Sequence, residues 1–170
     1  MPDHSFLNKA LSSLLLFLLL SLTTFSQTYS FDNYTVQDGI IQSNVAAVLQ
    51  DNNGYIWLGT GSGLSKFNGK TFQNYSTDDS LADNNITAMF LDRKKNIWLG
   101  HANGGLTKYN FSSGKFEIIR TKALPADHNI FALYQDKKGR LWVCFENYGA
   151  VVINDPYGDL SDKKKLYALC

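Results

Sequence analysis

Three tryptophans, Trp57, Trp98 and Trp142, each stand six residues after an aspartate: Asp51, Asp92 and Asp136. The tryptophans are 41 and 44 residues apart, and the text around them recurs. It reads "NVAAVLQDNNGYIWLGTGSGLSKFN" from Asn44, "NITAMFLDRKKNIWLGHANGGLTKYN" from Asn85 and "NIFALYQDKKGRLWVCFENYGAVVIN" from Asn129. A period of forty-odd residues marks a repeat architecture, in which each unit buries its apolar face only against its neighbours. One copy of "DNNGYIWLGT" would offer Trp57 as an aromatic platform for a ligand. Three copies make the tryptophans packing residues between units.

Each unit divides into four short strands. The first is Val45–Gln50, Ile86–Leu91 or Ile130–Gln135. A tight turn follows, with Gly54 and Gly139 supplying positive φ and Asn96 standing for the glycine in the second unit. The second strand carries the tryptophan and then Gly59, Gly100 or, in the third unit, Cys144. The third strand is Leu64–Phe67, Leu106–Tyr109 or Ala150–Ile153. The fourth is Thr71–Tyr75, Lys115–Ile119 or Leu166–Leu169. Aromatic residues make up 14% of the chain, which suits pleated, half-buried surfaces. The period alone also fits helical repeats, but glycine-rich turns at short intervals oppose helices. The predicted class is all-β: a β-propeller of four-stranded antiparallel blades, with about three blades present and the ring incomplete, preceded by a signal peptide. Propellers typically have about 4–8 blades, so the chain reads as the N-terminal piece of a longer protein. Its divisions are a signal peptide over 1–26, a leading strand over 27–43, and blades over 44–84, 85–128 and 129–170. "TYSFDNYTV" (28–36) resembles the fourth strand "KTFQNYST" (70–77). It therefore reads as a strand that closes the ring by completing the last blade.

The block from Ala10 to Leu22 is too short to span a bilayer, which needs roughly 20 apolar residues. It fits a signal-peptide core, with Thr24 and Ser26 at the small positions of a cleavage site and Gln27 as the new N-terminus. An uncleaved anchor is the alternative. The net charge of +1 lacks the basic excess of a nucleic-acid binder. Cys144 and Cys170 make no disulfide framework and nothing has metal-ligand spacing. No metal and no cofactor is expected.

The pattern "N-[IV]-x-A-[VLM]-x-x-D-x-x-G-x-[IL]-W-[LV]-G-T-x-x-G-[GL]-L-x-x-[FY]-N" resembles the two-component-regulator propeller repeat and covers essentially all of 44–154. The second unit departs from it at Asn96 and His101, the third at Cys144 and Phe145. The resemblance implies the extracytoplasmic part of a membrane-bound bacterial sensor. It also implies further blades and sensor domains as partners, and a histidine kinase or cyclic-dinucleotide synthase downstream. A homodimer and an oligosaccharide ligand are expected on the same ground. The alternatives are a secreted propeller enzyme acting on glycans and a purely structural interaction propeller.

Loops on a rigid scaffold concentrate binding function, and here the loops vary between the repeats. The second-to-third-strand loops, His101–Gly105 and Phe145–Gly149, share a face with the inter-blade loops 76–85 and 121–128. His101, Asn103, Phe145, Glu146, Asn147 and Tyr148 are the candidate ligand-binding residues there. Asp51, Gly54, Trp57, Gly59, Asp92, Trp98, Gly100, Asp136, Gly139 and Trp142 are assigned to the scaffold. The opposite face is basic, with Lys70, Arg93, Lys94, Lys95, Lys115, Lys137, Lys138, Arg140 and Lys163–Lys165. Three equivalent aspartates do not supply the two differently tuned groups of acid–base chemistry, and no catalytic residue is expected. "GTGSG" (59–63) is followed by no helix whose N-terminus could hold a phosphate.

Overall fold

The computed structural model describes residues 4–20, 29–121, 124–158 and 166–169. The expected cleavage region with Thr24, Ser26 and Gln27 lies outside them, as do Lys163–Lys165 and Cys170. The chain divides into two units, 1–33 and 34–170. In the first, helix α1 spans His4–Leu20. No described helix is long and apolar enough to cross a membrane.

The second unit carries three antiparallel four-stranded sheets, each in sequence order. The first holds β1 (Val45–Gln50), β2 (Ile56–Thr60), β3 (Gly63–Phe67) and β4 (Phe72–Tyr75). The second holds β5 (Ile86–Leu91), β6 (Ile97–His101), β7 (Leu106–Asn110) and β8 (Lys115–Ile119). The third holds β9 (Ile130–Gln135), β10 (Leu141–Phe145), β11 (Gly149–Ile153) and β12 (Leu166–Leu169). These are propeller blades, and the described residues do not close a ring.

One carboxylate organises each blade. Asp51 Oδ1 accepts the backbone N–H groups of Asn53 and Tyr55 at 2.9 and 3.1 Å, while its Oδ2 accepts Trp57 Nε1 at 2.8 Å. Asp92 accepts Asn96 N and Trp98 Nε1, both at 2.9 Å. Asp136 accepts Lys138 N and Arg140 N and, at 3.1 Å, Trp142 Nε1. The residue three after each aspartate is left-handed: Gly54 (φ 86), Lys95 (φ 70) and Gly139 (φ 82). The second blade's turn glycine is thus replaced by Lys95, not by Asn96 as the sequence alignment suggested. Asn96 instead lies buried and donates to Asp92 Oδ2 at 3.0 Å.

Alternation along the second strand sends successive side chains to opposite faces. Trp57 and Leu64 of the first blade meet Ile86, Ile97 and Leu99 of the second in one buried cluster. Trp98 and Leu106 of the second meet Ile130, Leu141 and Val143 of the third in another. Trp57 is fully buried, its ring centroid 5.0 Å from that of Tyr109 in the second blade. Trp142 is only half-buried, because no fourth blade stands over it among the described residues. Gly59 and Gly100 lie where the next blade's first strand presses closest. A Cβ on Gly59 would sit 2.6 Å from Ile86 Cγ2, and one on Gly100 2.8 Å from Ile130 Cβ. Cys144 occupies the same register position in the third blade and is half-buried.

The entry to each blade also repeats. Thr35 caps a 3₁₀ turn (Val36–Asp38) in a reciprocal box with Asp38. Ser76 does the same for Thr77–Asp79 with Asp79. Ile40 and Leu81 follow as buried anchors. The next backbone N–H then donates to a hydroxyl in the third strand: Ile41 to Ser65 Oγ at 3.0 Å, Ala82 to Thr107 Oγ1 at 2.9 Å. In the third blade the corresponding residues are Ala126 and Val151. Val151 removes the acceptor hydroxyl, and Ala126 is exposed, so its N–H faces solvent.

The expected leading strand is not formed. Residues 29–35 have no regular structure, and 36–38 form the 3₁₀ turn. A strand exists by pairing its backbone groups with a neighbour, and no described strand pairs with this segment.

Gly100→Ala is expected to destabilise the chain by about 1–3 kcal/mol through overpacking against Ile130. Cys144→Ala should shift stability by less than ~1 kcal/mol. Denaturant midpoints followed by tryptophan fluorescence check both. Asp92→Ala should cost about 2–4 kcal/mol, because it strands a buried indole N–H and a turn N–H. Trp98→Phe in the same background should then cost less than it does alone, a non-additivity that a double-mutant cycle reads directly.

Candidate functional site

His101 and Phe145 are not where the sequence placed them. Each is the last residue of its second strand, and they are 0% and 2% exposed. Strand alternation continues through them, so both side chains join the buried faces of their blades instead of the loop. His101 Nε2 lies 2.8 Å from Thr107 Oγ1, and Nδ1 is buried without a partner. Burial pushes its pKa down to about 4, with Asp83 nearby pulling only weakly the other way.

The remaining candidates do lie on the loop face. Asn103 Nδ2 donates to Asp83 Oδ2 at 2.6 Å, and Asn103 O accepts Asp127 N at 3.3 Å. Gly104 is left-handed (φ 78), and a Cβ there would sit 2.5 Å from Pro125 O. The second blade's loop therefore rests directly on the linker that enters the third blade. Between them opens a cleft of about 460 Å³, lined by Asn103, Arg120, Thr121, Leu124 and Pro125 among others.

Glu146 is fastened to the start of the third blade. Its N–H donates to Asn129 O at 2.8 Å, and its Oε2 accepts Asn129 Nδ2 at 3.2 Å. Asn147 is left-handed (φ 56). Tyr148 is 37% exposed and its ring centroid lies 5.3 Å from that of His128. His128 Nδ1 approaches Glu146 O at 3.3 Å. Asp127 touches Asn103 on one side and precedes His128 on the other. Arg120, Asn103, His128, Glu146 and Tyr148 are thus strung along one rim over two blades. Arg120 and His128 were not singled out from the sequence. The signal for them was the inter-blade segment, which departs from its counterpart as freely as the loops do.

The rim offers a guanidinium, amides, a carboxylate and an aromatic face beside an apolar cleft wall. That mixture suits a ligand with hydroxyl or carboxylate groups on an apolar ring. Among the described residues no group of three or more His, Cys, Asp or Glu could hold a metal ion. The basic turns opposite are partly engaged in packing. Arg140 pairs with Asp136, Arg93 donates to Lys137 O, and the Lys94 ammonium lies 3.8 Å from the Tyr157 ring centroid.

Four-stranded blades, each tied by an aspartate–tryptophan pair and with variable loops gathered at one end, define a segment of a β-propeller. Residues 39–62, 80–103 and 124–147 match the family model of the two component regulator propeller. The chain belongs to that family. It is 42% identical over 55 residues to Histidine kinase P4 of Formosa agariphila, a match covering 32% of this chain and 4% of the kinase. The fold is similar to the extracellular domain of BT3049 from B. thetaiotaomicron, described as a hybrid two component system. That comparison has a TM-score of 0.68 at 19% identity and covers 85% of this chain and 19% of the other. It is equally similar to the extracellular domain of BT4673 from the same organism, described as a one component system. There the TM-score is 0.68 at 19% identity, with 89% of this chain and 20% of the other covered. The chain therefore spans a small part of the proteins it matches.

His101 stays neutral in the folded chain down to about pH 4, whereas in the unfolded chain it takes up a proton near pH 6.5. The unfolded state binds more protons across that window, so stability falls as pH drops from about 6.5 to 4, by roughly 3 kcal/mol from this group. His101→Thr, which installs the first blade's residue, should flatten that slope. Urea midpoints at pH 7 and pH 5 for both chains check it.

Proposed function

We propose that this chain is the N-terminal part of an extracytoplasmic sensor propeller of a bacterial signalling protein. Its loop-face rim over the second and third blades takes an oligosaccharide. The observation that carries the reading is the cleft lined by Asn103, Arg120 and Leu124, with Glu146 and Tyr148 on the next blade's loop of the face where the repeats diverge. Carbohydrate rings present an apolar face that stacks on an aromatic side chain and a hydroxyl edge that meets amides and charged groups. Tyr148 and Asn103 supply those two kinds of contact, and Arg120 adds a preference for acidic sugars.

In this reading residues 1–26 direct export and are removed, and 27–170 stands outside the cytoplasm. The full-length protein is anchored in the inner membrane and works as a homodimer. This segment has no catalysis of its own. The downstream output is a histidine kinase, for which the partial match to a histidine kinase is the supporting observation, or a cyclic-dinucleotide synthase. The reading frame beyond Cys170 tests the signalling half: a transmembrane helix followed by kinase or cyclase motifs supports it, and a stop codon after a few more blades overturns it.

Calorimetric titration with a panel of neutral and acidic oligosaccharides tests the ligand half. At least one saccharide should bind, and Arg120→Ala and Tyr148→Ala should each weaken binding by about 10-fold, near 1.4 kcal/mol, without lowering the melting temperature. Binding unchanged in both variants, or no binding across the panel, would overturn it.

A further inference from the structure

The turns between first and second strands gather at the end of the blades opposite the loop rim, and their charge is uneven. The first turn, residues 52–54, carries no cation. The second carries Arg93, Lys94 and Lys95, and the third Lys137 and Lys138. All of these cations are exposed. The two basic tips are tied side by side: Arg93 Nη1 donates to Lys137 O at 3.2 Å, and the Arg93 backbone N–H to Gln135 Oε1 at 3.1 Å. Lys94 lies 3.8 Å from the Tyr157 ring centroid and Lys95 5.8 Å from that of Phe111. These contacts hold the side chains without cancelling their charge. The aspartates of the same turns do not cancel it either. Asp92 is taken up by Asn96 and Trp98, and Asp136 by Arg140 and Trp142. Among the described residues no carboxylate forms an ion pair with Arg93, Lys94, Lys95, Lys137 or Lys138.

Lys95 is an independent sign. It occupies the left-handed position (φ 70) that Gly54 and Gly139 fill in the other two blades. Any side chain there meets steric strain that glycine avoids. The second turn thus carries a charge at a backbone position that disfavours it. The opposite end of the blades has the reverse sign. Its linkers and loops bring Asp78, Asp79, Asp83, Asp127 and Glu146 to the loop face beside Arg120. A molecule charged in this way is drawn to an anionic surface by one end and repelled from it by the other.

We infer that the turn face of the second and third blades docks on an anionic lipid bilayer and so holds the loop rim away from it. What the turns lack separates this partner from a protein. Protein interfaces draw most of their affinity from buried aromatic or aliphatic anchors. Among the described residues no exposed large hydrophobic side chain lies in these turns. A layer of lipid headgroups needs no such anchor, because each lysine or arginine near it adds its own attraction. The inference rests on the membrane half of the proposed function, which the reading frame tests separately, and is independent of the saccharide half.

Flotation of the full chain with two vesicle preparations tests it, one of phosphatidylcholine and one of phosphatidylcholine and phosphatidylglycerol in equal parts. Near physiological salt, binding should be at least about 10-fold tighter to the anionic vesicles, and high salt should remove the difference. Binding that runs through α1 would not respond to substitutions in the turns. The combined variant Lys94→Glu, Lys95→Glu, Lys137→Glu, Lys138→Glu should lose the preference. The milder pair Lys137→Gln, Lys138→Gln, which keeps Gly139 and the turn's backbone bonds, should weaken it by about 3-fold or more. On anionic vesicles the backbone amides of the two basic turns should exchange hydrogen more slowly than in solution, while those of 103–104 and 146–148 keep their rates. Equal binding to both vesicles, a preference unchanged in the variants, or protection at the loop face would overturn the inference. Tighter binding to polyglutamate than to the anionic vesicles, lost in the same variants, would assign the turns to an acidic protein and overturn it equally.

Discussion

The structure depends on a carboxylate that faces two ways. In each blade one oxygen of the aspartate closes the first hairpin by accepting turn N–H groups, and the other holds the indole of the tryptophan six residues on. Turn and packing residue are thereby fixed to one point. An indole N–H buried without a partner would carry its full desolvation cost, so the tryptophan can be buried between blades only because the aspartate is there. In the third blade Asp136 is in turn held charged by its donors. At Asp136 burial pushes the pKa up, but the bonds from Trp142 and Arg140 outweigh it and bring it to about 2. In the first two blades a lysine of the third strand then stands over the indole. Lys66 stands 4.9 Å from the Trp57 ring centroid and Lys108 5.8 Å from that of Trp98. In the third blade Val152 takes that register position and Arg140 approaches Trp142 at 5.6 Å instead.

Between blades the same economy is visible in smaller contacts. A glycine in the second strand admits the first isoleucine of the next blade. A hydroxyl in the third strand receives the N–H of the linker that enters the same blade. Thr87, skipped over by the ladder near the start of β5, donates to Ile130 O at 2.7 Å and so bridges two blades. These couplings explain how blades of diverging sequence still stack. Val151 abolishes one such bond from the acceptor side, and because the matching Ala126 is exposed, no buried polar group is left.

Much of this was legible in the sequence. The first-strand bounds follow from period-two runs bracketed by Asx and glycine turns, and the recurrence of the tryptophan separates scaffold from site. What was not legible is what spacing alone cannot express. The six-residue interval from aspartate to tryptophan announces a relation, but the bond between carboxylate and indole needs the hairpin geometry. His101 and Phe145 looked like loop residues because they replace a threonine at the point where the repeats begin to differ. In the fold the strand runs one residue further and buries them. Lys95 was passed over because a lysine gives no hint that it will occupy a left-handed turn position normally left to glycine. The leading segment resembles a fourth strand in sequence, but among the described residues no strand edge pairs with it.

The arrangement also decides where variation is tolerated. The aspartate, the turn and the indole lie toward one end of each blade, and the second-to-third-strand loops lie at the other. Substitutions in those loops do not touch the carboxylate–indole bond. The loops are nevertheless not independent of the blades beneath them. Ala102 and Glu146 donate backbone bonds to Asn85 and Asn129, the residues that precede each first strand, and Gly104 rests on the linker at Pro125. The cleft beside Asn103 is thus walled by the second blade and by the entrance to the third. A ligand held there would contact both and favour one angle between them over others. Because inter-blade packing is dense and unforgiving at Gly100 and Ile130, such a bias would pass along the stack instead of being absorbed locally. That is the physical sense in which a propeller rim can serve as the input of a sensor.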